Sequence, residues 1–200
     1  MKKILLTSNS FANPKIESAF KELASEIQNK KVLIITTAAK EKENNRYAQL
    51  TYQQLTDWNF QPSFLDLEKD TGADLSAFDI FYVCGGNTFR LLKYAQKEKF
   101  GDSLQNLMNR GGLYVGVSAG SLIVGPSIQI ANEIKPDIND VELKDFSGFN
   151  ITNLIIFPHY SEEHENDLIQ FEKKYNLNVT RIKNGEAILL KDEELIFISN

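Results

Sequence analysis

The chain holds one cysteine, one tryptophan and two histidines, and it has no long apolar run. Each shortage excludes something. A lone cysteine, Cys84, can form neither an internal disulfide nor a Cys-rich metal site, which fits a reducing compartment. The histidines, His159 and His164, do not stand in an i, i+3 or i+4 relation, so no helical metal pair, and no metal or other cofactor, is expected. No stretch approaches the ~20 apolar residues that cross a membrane. Met1-Lys2-Lys3 resembles the start of a signal peptide, but Ile4-Leu5-Leu6 ends at Thr7-Ser8-Asn9, short of the roughly 7–15 apolar residues needed. That opening reads as a first β-strand, and a soluble, cytoplasmic protein without a membrane partner is expected. Cationic clusters are also missing. Lysine and arginine number 22 against 27 acidic residues, a net charge of −5. Lys30-Lys31 and Lys173-Lys174 are isolated pairs, so a phosphate backbone is repelled and nucleic acid is not an expected partner.

What is present is ordinary for a globular chain: 200 residues, 42% hydrophobic, 24% charged and 10% aromatic. That suffices for one core and is thin for two, so residues 1–200 read as a single domain. Short β-rich runs alternate with longer helical patterns, the rhythm of an α/β fold with a mostly parallel, doubly wound sheet in three layers. The clearest runs are Lys3–Thr7, Lys31–Thr37, Pro62–Leu67, Phe78–Cys84 and Gly112–Val117. They are almost continuously apolar, as strands covered on both faces must be. Asn13 and Pro14 mark a helix start, and Ile16, Ala19, Phe20, Leu23, Ala24 and Ile27 fall on one helical face. Further helices are expected over about 44–58, 88–98, 101–109 and 162–175. After Ser118 come β-rich runs at Leu154–Phe157, Asn178–Ile182, Ala187–Leu190 and Leu195–Ile198. The last three are expected to form an antiparallel tail, with a hairpin turn at Asn184-Gly185. Residues 131–150 lack periodicity and read as a surface loop.

The chemistry concentrates after the strand Gly112–Val117. Gly116-Val117-Ser118-Ala119-Gly120 is a G-x-S-x-G turn between a strand and the helix start Leu122-Ile123-Val124, the context in which a nucleophilic serine is presented. The turn is sharp, so its flanking positions must lack bulk, and the Ala119 N–H points where an oxyanion would form. No G-x-G-x-x-G and no P-loop lysine accompany it, which disfavours a phosphate-binding turn. Ser118 needs a base. His159, in Phe157-Pro158-His159-Tyr160, lies just past a strand's carboxyl end, where parallel sheets gather site residues. His164, among Glu162, Glu163 and Glu165, reads as a solvated helix position. The acid that would orient the imidazole is open at this level, with Glu133, Asp137, Asp140, Glu142, Asp145, Glu162, Glu163 and Glu186 as candidates. Cys84-Gly85-Gly86-Asn87-Thr88 is a second strand-to-helix turn whose glycines allow close backbone approach. Asn87 or Thr88 can cap the helix, and Cys84 reads as a buried small hydrophobe.

Taken in order, Cys84-Gly85-Gly86-Asn87-Thr88, Gly116-Val117-Ser118-Ala119-Gly120-Ser121 and Phe157-Pro158-His159-Tyr160 resemble the peptidase E family of serine peptidases, across essentially the whole chain. The resemblance implies a flavodoxin-like, class I glutamine-amidotransferase-like α/β fold. It implies Ser118 as nucleophile, His159 as base, and the N–H groups of Gly86 and Ala119 as oxyanion donors. Glu133 falls at the position of the family's acid, and Asn87 and Thr88 lie in its substrate-binding turn. The implied partner is a small peptide, a dipeptide with N-terminal aspartate in that family. Ser161 to Lys173 is acidic and contains no arginine, and Arg46, Arg90, Arg110 and Arg181 lie elsewhere. A cyanophycinase-like hydrolase of Asp-linked peptides and a non-catalytic binding module on the same fold are the alternative readings.

Overall fold

The computed structural model describes residues 2–199. Nine strands are seen among them: β1 Lys3–Thr7, β2 Lys31–Ile35, β3 Gln61–Leu65, β4 Ile80–Val83, β5 Leu113–Val117, β6 Ile155–Pro158, β7 Val179–Ile182, β8 Ala187–Lys191 and β9 Glu194–Ile198. Seven form one sheet in the order β3-β2-β4-β5-β1-β8-β9. Its first five members are parallel, and β8 runs antiparallel to both β1 and β9.

The strand period of two divides the apolar residues between two layers. Ile4 and Leu6, Leu33 and Ile35, and Phe81 and Val83 enter one core cluster. Leu5, Val32, Ile34, Ile80 and Tyr82 enter the other. Helices α1 (Pro14–Ser25) and α2 (Arg46–Asp57) cover the second cluster through Ile16, Phe20, Leu23, Ala48 and Leu55. Helices α3 (Thr88–Lys97) and α4 (Phe100–Asn109) cover the first through Phe89, Leu92, Phe100 and Leu104. The result is a three-layer, mostly parallel α/β sandwich. Helix starts follow the local rules: the Asn13 side chain accepts from the Lys15 N–H with Pro14 behind it, and Asn87 accepts from the Arg90 N–H.

Two short helices, α5 (Ala119–Leu122) and α6 (Ile130–Glu133), and the longer α7 (Glu165–Tyr175) complete the chain. The C-terminal region departs from the expected tail. Of the last three strands, β8 and β9 pair antiparallel with each other, whereas β7 pairs in parallel with β6 in a separate two-stranded sheet. Asn184-Gly185 is therefore a turn between two sheets rather than a hairpin. The physical reason is burial: beside β6, Val179 and Ile182 are buried in the same cluster as Ile156, Leu168 and Phe171. The 131–150 segment is not wholly on the surface either, since Ile134, Val141 and Leu143 are buried.

Candidate active site

The parallel strands β1, β4 and β5 all end on one edge of the sheet, and their following residues meet there. After β5 the chain turns at Ser118 with φ 49° and ψ −108°. A non-glycine residue in that region stores on the order of 1–3 kcal/mol and persists only where its surroundings enforce it. Here they do. The Ser118 N–H donates to the Thr7 carbonyl at 2.9 Å, the Ser121 hydroxyl bonds the Thr7 and Gly116 carbonyls, and the Tyr114 hydroxyl donates to the Gly120 carbonyl. A Cβ on Gly120 would stand 2.4 Å from the Val83 carbonyl oxygen, so the elbow closes only around glycine.

His159 follows β6 with φ 57°. Its Nε2 lies 3.0 Å from Ser118 Oγ. Its Nδ1 lies 2.7 Å from the amide oxygen of Asn184. An amide oxygen can only accept, so Nδ1 carries the proton and Nε2 is left bare, facing Ser118 Oγ. Ser8, the first residue past β1 and fully buried, completes the arrangement. Its hydroxyl accepts the His159 N–H at 2.8 Å, donates to Asn184 Oδ1 at 3.0 Å, and sits 3.2 Å from Nδ1. Asn184 is in turn fixed by its turn: the Ser8 N–H reaches the Glu186 carbonyl, Asn9 accepts from the Gly185 N–H, and Asn13 donates to the Gly185 carbonyl.

On the opposite flank, after β4, Gly86 has φ 136° and no room for a side chain; a Cβ there would be 2.1 Å from the Ala38 carbonyl oxygen. Gly85 stands against Ser118, its would-be Cβ 3.0 Å from that of the serine. Among the described residues, the N–H groups of Gly86 and Ala119 have no hydrogen-bond partner. Burial pushes the Cys84 thiol up to about 12, so it is no nucleophile at neutral pH.

Several expected residues lie elsewhere. Glu133 is away from the imidazole: Tyr175, Lys174 and Gln129 all donate to its carboxylate, and against partial desolvation they hold its carboxyl below the usual range. Asn87 spends its side chain on the α3 cap and on the Ile138 carbonyl, and the Thr88 N–H is taken by Asp137. His164 is buried rather than solvated, its ring tilted edgewise on Phe157 with Nδ1 2.9 Å from Ser161 Oγ. Ser8 and Asn184 were missed in the sequence. Ser8 carried the same signal as His159, a polar residue at a strand's carboxyl end. Asn184 carried only a turn signal.

A bare imidazole nitrogen on a strained serine, with two free N–H groups following the neighbouring strand ends, is an arrangement suited to nucleophilic chemistry on an α/β sandwich. Residues 4–198 match the profile of peptidase family S51, and the chain belongs to that family. It is 30% identical over 208 residues to an uncharacterized peptidase of Pasteurella multocida (strain Pm70), covering 100% of this chain and 99% of that protein. It is 28% identical to a peptidase E of Shewanella denitrificans, covering 98% of this chain and 87% of the relative. A crystal structure from Listeria monocytogenes EGD-e, assigned as a peptidase E protein, superposes with a TM-score of 0.82 at 26% identity, covering 100% of this chain and 99% of that one. The protein is a serine-type peptidase. Among the described residues no helix is long and apolar enough to cross a membrane.

Proposed function

We propose that this chain hydrolyses small peptides through an acyl-enzyme, with Ser118 as nucleophile and His159 as base. The observation that carries the reading is the relay Ser118 Oγ to His159 Nε2 at 3.0 Å and His159 Nδ1 to Asn184 Oδ1 at 2.7 Å. In it, Nε2 takes the serine proton as Oγ bonds to the scissile carbonyl carbon. The Gly86 and Ala119 N–H groups receive the oxygen that gains charge. Nε2 then passes its proton to the departing amine, and water repeats the sequence to free the acid.

Asn184 holds the imidazole in the productive tautomer, the role a carboxylate fills in most such relays and an asparagine fills in some. Ser8 braces both partners. The test is labelling by a fluorophosphonate together with hydrolysis of a dipeptide panel. Ser118→Ala should lose labelling completely and at least about 10³-fold in kcat. Near-normal turnover by the purified variant would overturn the assignment.

A further inference from the structure

The two edges of the seven-stranded sheet are finished differently. β3, Gln61-Pro62-Ser63-Phe64-Leu65, carries a proline, which cannot donate to a further strand, and polar residues at its exposed positions. β9, Glu194-Leu195-Ile196-Phe197-Ile198, has no proline and no lysine, and it pairs with β8 without a bulge. Leu195, Ile196 and Phe197 are 50%, 42% and 46% exposed in succession. A regular apolar edge of this kind is a template for one more strand.

The hydrogen-bond parity says what that strand must offer. The Asp192 N–H donates to the Lys2 carbonyl, and the Ser8 N–H donates to the Glu186 carbonyl. Even-numbered residues along β8 therefore bond β1, and the odd ones, Ala187, Leu189 and Lys191, are left for their β9 partners Ile198, Ile196 and Glu194. Leu195 and Phe197 consequently turn their N–H and C=O groups outward, away from β8.

A second copy of β9, laid antiparallel about a two-fold axis, answers this pattern. With the two Ile196 residues opposite each other, Leu195 of one copy faces Phe197 of the other, and their outward groups exchange main-chain hydrogen bonds. Their side chains stand on one face, so leucine packs beside phenylalanine across the axis. The charges match as well. The same register sets Glu194 of one copy opposite Ile198 of the other, and the carbonyl of the next residue, Ser199, accepts from Lys15 Nζ at 3.1 Å. Ile198 packs in the core cluster under α1, the helix that carries Lys15, so Glu194 and Lys15 fall on the same face of the joined sheet. Among the described residues, neither has an ion pair within its own chain.

We propose that the protein associates with a second copy of itself through β9, joining two sheets into one across a two-fold axis, with Glu194 of each copy paired to Lys15 of the other. The surface lies outside the catalytic apparatus, and the proposal is independent of the acyl-enzyme reading.

The experiment is sedimentation equilibrium of the full chain over a concentration series, at low salt. A monomer–dimer equilibrium with a dissociation constant in the micromolar range is expected, as fits a small interface. Ile196→Lys puts like charges face to face at the axis, about 5 Å apart, and should weaken association by at least about 100-fold. Lys15→Glu and Glu194→Lys should each weaken it by about tenfold, and the double variant should recover most of that loss, because the pair re-forms with its charges exchanged. The substituted positions are exposed, and denaturant unfolding checks that each variant is folded. A dimer indifferent to Ile196→Lys, or charge variants without mutual rescue, would overturn the proposal. So would a wild type that is monomeric at every concentration, which would leave the edge to a strand from a different protein.

Discussion

The amide oxygen of Asn184 accepts from Nδ1 of His159 at 2.7 Å, so the imidazole is oriented by a neutral group. A neutral acceptor fixes the tautomer without stabilising the imidazolium by charge. Asn184→Ala should lower kcat by about 10- to 100-fold, the worth of one to two hydrogen bonds to a group that becomes charged. Asn184→Asp restores the acceptor and adds a negative charge, which favours the protonated ring. The acidic limb of its kcat/KM profile should therefore move to higher pH by about one unit, with turnover retained above it. Glu133→Gln should leave turnover within about twofold, because its carboxylate serves Tyr175, Lys174 and Gln129 instead. The pH–rate profiles of the three variants provide the check.

Ser8 is buried, and its hydroxyl accepts from the His159 N–H and donates to Asn184 Oδ1. Ser8→Ala leaves the His159 N–H buried against a methyl group, which costs about 1–3 kcal/mol. Denaturant unfolding should show that loss. Turnover should fall about tenfold as the ring loses its brace. Stability unchanged, with turnover intact, would mean that the serine is a bystander.

Gly86 and Gly120 are required by close approach. Gly86→Ala places a methyl 2.1 Å from the Ala38 oxygen, and Gly120→Ala places one 2.4 Å from the Val83 oxygen. Backbone must shift in both, at a cost of roughly 1–3 kcal/mol, with much larger losses of turnover because the site's N–H groups move with it. Gly72→Ala is the contrast: its φ is 72°, yet nothing lies within 4 Å of the new methyl. It should cost about 1 kcal/mol, the left-handed penalty alone, with turnover unaffected.

Against the desolvation of partial burial, Lys42, Arg90 and Tyr94 hold the Glu68 carboxyl at about 2, below its ordinary 4.5. A depressed carboxyl contributes stability that is full above 4.5 and lost as pH falls towards 2. Glu68→Gln should be less stable than wild type by about 1 kcal/mol at pH 7, discounted for its partial exposure. That gap should close as pH drops from 4.5 towards 2. Denaturant titrations at pH 7 and pH 3 measure it directly.

How much was legible beforehand depended on whether the signal was local. The five parallel strands appear within a residue or two of their expected runs; β1, β2, β4 and β5 are covered on both faces and so are apolar almost throughout, while the edge strand β3 is exposed at Gln61 and Ser63. The elbow was legible because its five-residue pattern stands between an apolar strand and a helix start; a Cβ on Gly116 would meet Gly120 within the same turn, although Gly120 itself is pressed by Val83 of β4. His159 was legible because a strand ends just before it. The tail was not: Val179–Ile182 has the same pattern whether it pairs with β8 or with β6, and only the cluster around Phe171 decides. His164 looked solvated because its neighbours in sequence are glutamates, whereas its neighbour in space is Phe157.

The same division runs through the site. The sequence by itself determined the doubly wound sheet, the strained serine and the histidine beyond a strand end, because periodicity and turn sterics act between residues close in the chain. Tertiary structure alone decided what orients the imidazole. Asn184 lies 25 residues from His159, and Ser8 lies 151 away. They meet because three strand ends and a turn between two sheets converge, and the energy that brings them together is core burial, which leaves no trace in the residues themselves.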